Sequence, residues 1–460
     1  MEPSPVELFI EHFCPRGFGV AHSDRAQIEV AHAIPGDRVS VDLRRRSRRV
    51  QKGRLLEILH PSQDRVEARC PHASLCGGCC WQVMNYSAQI KHKQDFVRRS
   101  FGALLDPTFN VRTFIPCDDP WHYRNKMEFS FSENRAGTKY LGLMIAHAEP
   151  YVFNLESCYI APTWMAECLS RVRSWWAESG LSAYYPPKDT GSLRYLTLRE
   201  SVRTKQRLAI LNVSGNSAFA PPQEQINRFV QAVGENIGIF LRIHQICKGV
   251  PSQFFEMHLA GPDHIVEQMQ LTHGPLHFKI SPSSFFQPNT IQAEKLYNTA
   301  VSMLGTDHPF VYDLYCGTGT LGMAAAPVSR QVVGIDLSPE SILDAEENAK
   351  RNNLSNIRFY QGDVGRVLTN LMASGDFVRP DAVIVDPPRA GLDALTLHHL
   401  KVLNPKKIVY VSCNPATQAE NIQELVNAGY SISCMQAVDQ FPHTAHIENI
   451  ALLVRSGIEK

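Results

Sequence analysis

Three cysteines within ten residues form the most conspicuous chemical cluster of this sequence. Cys70, Cys76 and Cys79 lie in one short segment, and the two glycines before Cys79 permit a tight loop that turns the three sulfurs toward one point. A four-thiolate site needs a fourth ligand, for which Cys158 and Cys168 are the candidates. Zinc and iron–sulfur clusters both use four thiolates, but zinc sites more often show two paired C-x2-C motifs. One compact triplet plus a remote cysteine therefore favours a [4Fe-4S] cluster.

A glycine-rich loop provides a second candidate site. The strand-like segment Phe310–Leu314 leads into G-x-G-x-x-G, which begins at Gly317 and continues through Gly319. Such glycines allow a sharp turn and a close approach of a ligand to the backbone. Asp336, nineteen residues beyond Gly317, ends the next predicted strand, where a carboxylate can accept hydrogen bonds from ribose hydroxyls. The pattern suits NAD and S-adenosylmethionine alike.

The residues at the later strand ends favour S-adenosylmethionine. A dehydrogenase would place His, Tyr or Lys near the nicotinamide, whereas these ends carry Asp386-Pro-Pro-Arg389 and Ser412-Cys413-Asn414-Pro. Cys413 follows a strand, from which its thiol can face a crevice and act as a nucleophile. The alternative is a cysteine that only packs, since free cysteine is among the most buried residue types.

Short apolar strands alternate with helices in residues 277–460, which predicts a parallel, doubly wound α/β sheet. Ligand and catalytic groups of such sheets gather at the carboxyl ends of the strands, where both motifs lie. The predicted strands are Phe310–Leu314, Gln331–Ile335, Ile357–Gln361, Ala382–Val385 and Lys407–Val411, with helices at Pro339–Asn352 and Ala416–Ala428.

Two further domains are predicted before this sheet. Residues 1–67 consist of short strands and Pro/Gly turns, which predicts a small β-barrel; its strands are Val6–Phe13, Ala26–Val30, Arg38–Leu43 and Arg54–Leu59. The run Arg44–Arg49 contains five arginines, which is either solvated surface or a hairpin that binds phosphates. Residues 68–276 predict an α+β domain, with helices at Ser87–Leu104 and Ala161–Ser179 and strands at Lys126–Phe131, Leu193–Arg199 and Leu208–Val213.

The composition is that of an ordinary soluble protein, with 44% hydrophobic residues, 20% charged residues and a net charge of +1. Any nucleic-acid site must therefore come from local clusters of basic residues. The sequence contains no run of about 18 apolar residues, so no membrane span is predicted. Glu2, Glu7 and Glu11 stand where a secretion signal would carry Lys or Arg, so we expect a cytoplasmic protein with reduced cysteines.

Five ordered motifs resemble those of the RNA 5-methyluridine (uracil-C5) methyltransferase family. The motifs are Tyr123–Lys126, Ser284–Asn289, Asp386–Gly391, Tyr410–Thr417 and Asp439–Glu448. The resemblance spans nearly the whole chain, and it implies a Rossmann-like class I methyltransferase domain at residues 277–460. Residues 1–67 resemble the family's TRAM domain, an RNA-binding β-barrel, and residues 68–276 resemble its central iron–sulfur domain.

The family resemblance implies a role for each matching residue. Cys413 matches the nucleophile, and Glu448 matches the base that removes the C5 proton. The expected S-adenosylmethionine contacts are Gln287, Tyr315, Gly317, Gly319, Thr320, Asp336, Asp363 and Asp386. The expected cluster ligands are Cys70, Cys76, Cys79 and Cys158, which selects Cys158 over Cys168. Asp336 stands where Glu is common, Thr320 where several members have Asn, and Cys80 is an extra thiol without an assigned role.

The implied chemistry is methylation of uracil carbon 5. A thiolate adds at carbon 6 and places enolate density on carbon 5, which then takes the methyl group; loss of the C5 proton frees the enzyme. The target base must leave its stack to reach the pocket. The cluster and the TRAM-like segment favour 23S rRNA, with tRNA or a non-catalytic ribosome-assembly role as the alternatives. We expect an RNA partner, no DNA, no membrane, and a monomer.

Overall fold

A computed structural model describes residues 5–456, except for 24–25, 44–49, 103, 106–108, 110, 147–150, 247–248, 250–251, 307 and 376. Within these ranges the chain forms three large β-sheets, one two-stranded sheet and nine α-helices. The arginine run Arg44–Arg49 lies outside the described residues. None of the helices in the described ranges is both long and apolar enough to cross a membrane.

The N-terminal sheet is six-stranded and curled. Its strands are β1 (Val6–Phe9), β2 (His12–Phe13), β3 (Gly19–Ser23), β4 (Ala26–Val30), β5 (Arg38–Leu43) and β6 (Val50–His60), in the order β1-β5-β6-β4-β3-β2. The two edge strands, β1 and β2, are joined by only Ile10 and Glu11, so the edges of the sheet lie close together. Ile28, Val39 and Val41 pack inside the curl with Ile10. This barrel-like sheet agrees with the expected small barrel.

The predicted strand Val6–Phe13 is divided in two. The Ile10 N–H donates to the Asp37 carbonyl at 2.9 Å, whereas the Glu11 N–H donates to the Val20 carbonyl at 2.8 Å. The chain therefore changes its hydrogen-bonding partner between these two residues, from the segment that precedes β5 to strand β3. Alternating side chains alone do not reveal such a change of partner.

The central sheet has seven strands and carries two helices on one face. The strands are β7 (Lys126–Glu133), β8 (Lys139–Met144), β9 (Val152–Asn154), β10 (Leu193–Glu200), β11 (Arg207–Ser214), β12 (Ile237–Gln245) and β13 (Gln253–Ala260), in the order β13-β12-β11-β10-β7-β8-β9. The helices preceding and following β10–β11 are α2 (Thr163–Glu178) and α3 (Gln223–Val233). Buried Trp176 and Phe229 of these helices pack against Leu211 of the sheet.

Two helices link this region to the C-terminal part of the chain. The first helix, α1 (Tyr86–Phe101), packs through Val97 and Phe101 into the same core as Tyr410 and Leu425. A hairpin of β14 (Ile265–Leu271) and β15 (Gly274–Ile280) then leads to α4 (Thr290–Leu304). Helix α1 thus comes before the central sheet in sequence but packs beside the C-terminal one.

The C-terminal sheet has seven strands, which confirms the predicted α/β fold. The strands are β16 (His308–Leu314), β17 (Ser329–Asp336), β18 (Ile357–Gln361), β19 (Ala382–Val385), β20 (Lys407–Ser412), β21 (Tyr430–Val438) and β22 (Glu448–Arg455), in the order β18-β17-β16-β19-β20-β22-β21. The helices are α5 (Thr320–Ala325), α6 (Pro339–Arg351), α7 (Val364–Ala373), α8 (Ala394–Leu403) and α9 (Pro415–Asn427). The first five strands are parallel, whereas β22 is antiparallel to both β20 and β21.

The starts of α6 and α9, which lie beside the candidate site, are determined by their local sequence. The Ser338 side chain accepts the Ser341 N–H at the start of α6, and the Asn414 side chain accepts the Ala416 N–H at the start of α9. Proline occupies the first helical position in both cases, where its missing N–H costs nothing. The chain therefore turns from strand to helix directly after Asp336 and directly after Cys413.

Candidate active site

Cys413 and Glu448 meet at the edge of the C-terminal sheet where the parallel strands end. The antiparallel pair β20–β22 places Ser412 opposite Asn449. Continuing this register by one residue places Cys413 opposite Glu448. Glu448 is 4% exposed, whereas Cys413 is only partly buried. The sheet thus presents a thiol toward the open edge with a buried carboxyl group beside it.

Burial and like charges govern the ionisation of this pair. The Cys413 thiol has its pKa raised from 9.0 to about 11 by burial and by the Glu448 carboxylate, while Arg389 acts in the opposite direction. Burial raises the pKa of Asp386 to about 7, and burial together with Asp386 raises the pKa of Glu448. Cys413 is therefore a neutral thiol near neutral pH, beside two carboxyl groups that resist simultaneous ionisation.

The glycine loop is tied to the end of the neighbouring strand. Gly317 and Gly319 have φ of +53° and +76°, a region that favours glycine. The Gly317 N–H donates to Asp336 Oδ2 at 2.9 Å, and the Ser338 N–H donates to Oδ1 at 2.9 Å. Thr320, the first residue of α5, lies with its hydroxyl 3.1 Å from that of Thr318. Asp336 thus sets the shape of the loop through its backbone contacts.

The other expected cofactor contacts surround the same edge. Tyr315 has φ of +64°, and its hydroxyl donates to Asp393 Oδ2 at 3.0 Å. Asp363 is exposed directly after β18 and accepts the Arg366 N–H as the N-cap of α7. Gln287 is buried before α4, and its side-chain oxygen accepts a hydrogen bond from Gln440 at 3.3 Å. Together with Cys413 and Glu448, these residues come from seven separate segments of the chain and lie around one edge of the sheet.

Two buried residues at this edge were not singled out by the sequence. Asp313 accepts the Gly322 N–H at 2.7 Å, and burial together with the Asp386 carboxylate raises its pKa to about 8. Tyr297 of α4 has its pKa raised by burial and by Asp386 and Glu448, so its ring lies among the candidate catalytic carboxyls. Asp313 could have been recognised from the sequence, because it is an acid within the otherwise apolar strand Phe310–Leu314. Tyr297 could not, because it occupies an ordinary core position of a helix.

The residues leading to Glu448 form a heavily anchored loop, which we call the base loop (Asp439–Ile447). Lys93 of α1 donates to Asp439 at 2.6 Å, and both side chains are fully buried. The Trp81 N–H donates to the His443 carbonyl at 3.0 Å, and the Tyr123 hydroxyl donates to the Pro442 carbonyl at 3.0 Å. Contacts from three distant segments therefore determine where Glu448 begins its strand.

The four cysteines Cys70, Cys76, Cys79 and Cys158 line one cavity of about 360 Å³. Burial raises the pKa of Cys79 well above 9.0, and the nearby thiols of Cys158, Cys76, Cys80 and Cys70 add to this shift. The Gly78 N–H donates to the Cys76 sulfur at 3.3 Å. Cys168, in contrast, lies on α2 and is fully buried in the core of the central sheet.

The spacing of these thiols can be compared with the requirements of zinc. Tetrahedral Zn–S bonds of about 2.3 Å place the sulfurs about 3.8 Å apart. Among the described residues, the trio whose ligand atoms all lie within 4.8 Å of one another is Glu11, His12 and His22 on the exposed surface of the N-terminal sheet. No three of the four cysteine sulfurs meet this limit, so the thiols are spread more widely than a single zinc ion requires. Four thiols on one cavity are, by their chemistry, the kind of donor set that a thiolate-bound cluster takes from a protein.

Comparison with known proteins places this fold among methyltransferases. The crystal structure of a Pyrococcus abyssi tRNA (uracil-54, C5)-methyltransferase in complex with S-adenosyl-L-homocysteine superposes with a TM-score of 0.75 and 26% identity, covering 98% of this chain and 100% of that chain. A Protochlamydia amoebophila protein named as an uncharacterized RNA methyltransferase is 46% identical over 93% of this chain and 99% of its own length. A Chlorobaculum tepidum protein named in the same way is 36% identical over 92% of this chain and 90% of its length.

The family model described as tRNA (Uracil-5-)-methyltransferase matches residues 256–456. The chain belongs to this family, which confirms the resemblance drawn from its five motifs. The matched range contains both members of the thiol–carboxyl pair and the whole glycine loop. The cysteine cavity lies largely before it, in the part of the chain matched by the two bacterial relatives.

Proposed function

We propose that this protein transfers a methyl group from S-adenosylmethionine to carbon 5 of a specific uridine in 23S rRNA. The reaction proceeds through a covalent bond between Cys413 and carbon 6 of the base. The observation that carries the proposal is the placement of Cys413 opposite Glu448, beside the glycine loop. A thiol and a buried carboxyl at that edge are the two groups that addition and elimination at one pyrimidine ring require.

Cys413 acts as the nucleophile. Because its pKa is raised to about 11, the thiol gives up its proton to solvent only when the target base is in place, and Arg389 favours the thiolate at that moment. The sulfur then bonds to carbon 6, and the electron pair of the C5–C6 double bond moves toward carbon 5 and O4. Carbon 5 takes the methyl group as the sulfonium of S-adenosylmethionine leaves as a neutral thioether.

Glu448 acts as the base that completes the reaction. Its carboxylate takes the C5 proton, the C5–C6 double bond re-forms, and the bond between carbon 6 and the Cys413 sulfur breaks. Burial raises the pKa of Glu448, which makes its carboxylate a stronger base than an exposed glutamate. Asp386 lies close enough to raise that pKa further, so the pair can retain one proton between them while the other carboxylate works.

S-adenosylmethionine binding is supported by the glycine loop and by the S-adenosyl-L-homocysteine bound in the Pyrococcus abyssi structure. In our assignment the backbone of Gly317 and Gly319 approaches the ligand, and Asp336 accepts from the ribose hydroxyls. The remaining contacts are assigned to Gln287, Tyr315, Thr320, Asp363 and Asp386, which lie around the same edge. Asp336 is shorter than the common Glu, but it is already aligned by the Gly317 and Ser338 amides.

The four-cysteine cavity is assigned to a [4Fe-4S] cluster. Cys70, Cys76, Cys79 and Cys158 would hold it, and four thiolates supply the ligands that such a cluster takes from protein. When bound, the cluster would have a structural role, because it would cross-link the Cys70–Cys79 segment to Cys158, about 80 positions further along the chain. The Cys80 thiol lies near Lys93 and Cys14 and outside the lining of the cavity, so we assign it no ligand role.

The N-terminal sheet and the cysteine site together support 23S rRNA as the substrate, with the sheet acting as a TRAM-like RNA-binding barrel. A tRNA substrate is the second candidate, because the Pyrococcus abyssi structure is that of a tRNA (uracil-54, C5)-methyltransferase and covers 98% of this chain. We further assign a monomeric, cytoplasmic enzyme that binds neither DNA nor membranes.

Mapping 5-methyluridine in 23S rRNA and tRNA tests this assignment. RNA from cells that lack the gene is compared with RNA from cells complemented by the wild-type gene or by the Cys413→Ala variant. We expect one or more 23S rRNA sites to lose the modification and to regain it only with the wild-type gene. Loss confined to tRNA would establish the second candidate, and unchanged RNA in both pools would refute the function.

A further inference from the structure

One face of the central sheet packs against α4 and the β14–β15 hairpin through Leu208, Ile210 and Phe240, but it is more exposed toward the end of β12 and the start of β13. Side chains alternate across a sheet, and Ile243 and Leu241 of β12 belong to the face that packs under α2 and α3. Phe240 belongs to the opposite face, where it is buried against the C-terminal part of the chain. Beyond Phe240 on that same face, Arg242 and His244 are only partly buried. We call this exposed end the open face.

Aromatic rings are stacked on the open face. His244 pairs with Phe254 of β13, and the two rings lie 4.4 Å apart at an interplanar angle of 30°. Phe254 is 52% exposed, an unusual position for a large apolar ring in an edge strand. Both His244 ring nitrogens are shielded and make no hydrogen bond. Tyr195, partly buried on β10, lies two strands away on the same face.

Cations are interleaved with these rings. The Arg194 guanidinium lies 4.1 Å from the Tyr184 ring centroid, and one of its nitrogens is shielded without a partner. Burial and the nearby Arg194 both lower the pKa of His244, which shows that the two side chains are neighbours. Arg242 is paired with Glu256 across β12 and β13. The open face therefore combines flat rings with guanidinium groups.

The open face continues toward the cysteine cavity. Strand β7 carries Lys126 and Glu128 on this face, since they pair with Arg199 and Thr197 of β10. Both Lys126 and Glu128 line the cavity, together with the 64%-exposed Phe285 of the motif that precedes α4. Thr197 and Arg199 themselves are buried, so an RNA strand that runs from the open face to this cavity would follow Lys126 and Glu128 of β7.

We propose that the open face is a stacking platform for an unpaired RNA segment that flanks the target uridine, with Phe254 and His244 as its base-contacting rings. The proposal rests on the proposed function, because it assigns where the substrate strand lies. Unpaired bases stack on aromatic side chains and guanidinium planes, whereas duplex RNA keeps its base faces covered. Rings and arginines on one surface match the bases and phosphates of a single strand.

The chain supplies a matched control in the neighbouring residue. Phe255 is 50% exposed, against 52% for Phe254, but it pairs with Ile243 and so lies on the opposite face. Phe254→Ala and Phe255→Ala remove the same group from the same edge strand. If RNA affinity falls only in Phe254→Ala, the loss is therefore due to the face of the sheet on which the ring lies and not to the removal of an exposed ring as such.

Affinity is measured on the full-length protein without S-adenosylmethionine, by fluorescence anisotropy with a labelled single-stranded RNA of about 16 nucleotides and with the same strand annealed to its complement. We expect Phe254→Ala to weaken single-strand binding about 5- to 150-fold, the range expected for losing one stacked base. Phe255→Ala should change it less than twofold, and duplex binding should be weak and equal in all three proteins. If Phe254→Ala lowers the yield of folded protein, Phe254→Leu removes the ring while retaining apolar volume.

Equal effects of Phe254→Ala and Phe255→Ala, or no effect of either, would overturn the platform. So would a change from dimer to monomer in Phe254→Ala with RNA affinity unaltered, because β13 would then be an interface between protein chains. Methyl transfer is measured in parallel on wild-type protein. Its absence would refute the proposed function, while a Phe254-specific loss of RNA binding would still support the platform.

Discussion

The ionisation of Cys413 offers a quantitative test of how the nucleophile is activated. With a pKa of about 11, roughly 0.1% of Cys413 is thiolate at pH 8, against roughly 9% for a thiol with the ordinary value of 9.0. In RNA-free protein, the alkylation rate of Cys413 should therefore rise about tenfold per pH unit up to pH 10, without a plateau.

Iodoacetamide labelling, quenched at intervals and quantified at Cys413 by peptide mass spectrometry, measures this profile. A short peptide with the Tyr410–Thr417 sequence gives the profile of an unburied thiol, and circular dichroism verifies that the protein stays folded at each pH. Arg389→Gln should move the profile to higher pH because Arg389 favours the thiolate, while Arg389→Lys should leave it nearly unchanged. An inflection between pH 7 and pH 8 in the wild-type protein would refute the reasoning, since it would show a thiolate already formed before RNA binds.

Four further outcomes are expected. Cys413→Ala should abolish methyl transfer while RNA binding persists, and any residual turnover would contradict its role as nucleophile. Glu448→Gln should let the covalent protein–RNA adduct accumulate on a denaturing gel, because the C5 proton is no longer removed; absence of the slow band would count against it. Anaerobically purified protein should contain iron and sulfide that Cys79→Ser loses, whereas stoichiometric zinc would exclude the cluster. Lys93→Met should lower the free energy of unfolding by about 3–5 kcal/mol, since it leaves the buried Asp439 carboxylate with the Tyr86 hydroxyl but without its cation. Adding Asp439→Leu should recover much of that loss in urea denaturation, and equal stability of the single and double variants would disprove the argument.

Local sequence rules predicted the C-terminal sheet well. The strands Ile357–Gln361 and Ala382–Val385 have the predicted bounds, because short apolar runs between polar turns leave little choice of register. Ser338 and Asn414, each followed by proline, likewise mark helix starts that need no long-range information. What these rules did not supply was the antiparallel strand β22, whose pairing with β20 brings Glu448 to Cys413. Only the family resemblance linked those two residues in advance.

Residues whose role depends on distant contacts were not accessible from the sequence. Lys93 reads as one of several cations on an amphipathic helix, yet it is fully buried against Asp439, 346 positions away. The division of Val6–Phe13 into two strands follows from a change of partner between Ile10 and Glu11, which alternation of side chains does not record. In both cases the decisive partner lies outside any local window.

The anchoring of the base loop also bears on how the protein is made. Helix α1 is synthesised about 350 residues before the base loop. The Lys93 charge therefore stays unpaired until Asp439 has been synthesised. At a synthesis rate of about 5–20 residues per second, this interval lasts roughly 20–70 s. During it, α1 carries a cation that cannot be buried without a large penalty. The candidate catalytic edge therefore closes late, and we expect the nascent N-terminal half to expose α1 until the last strands arrive.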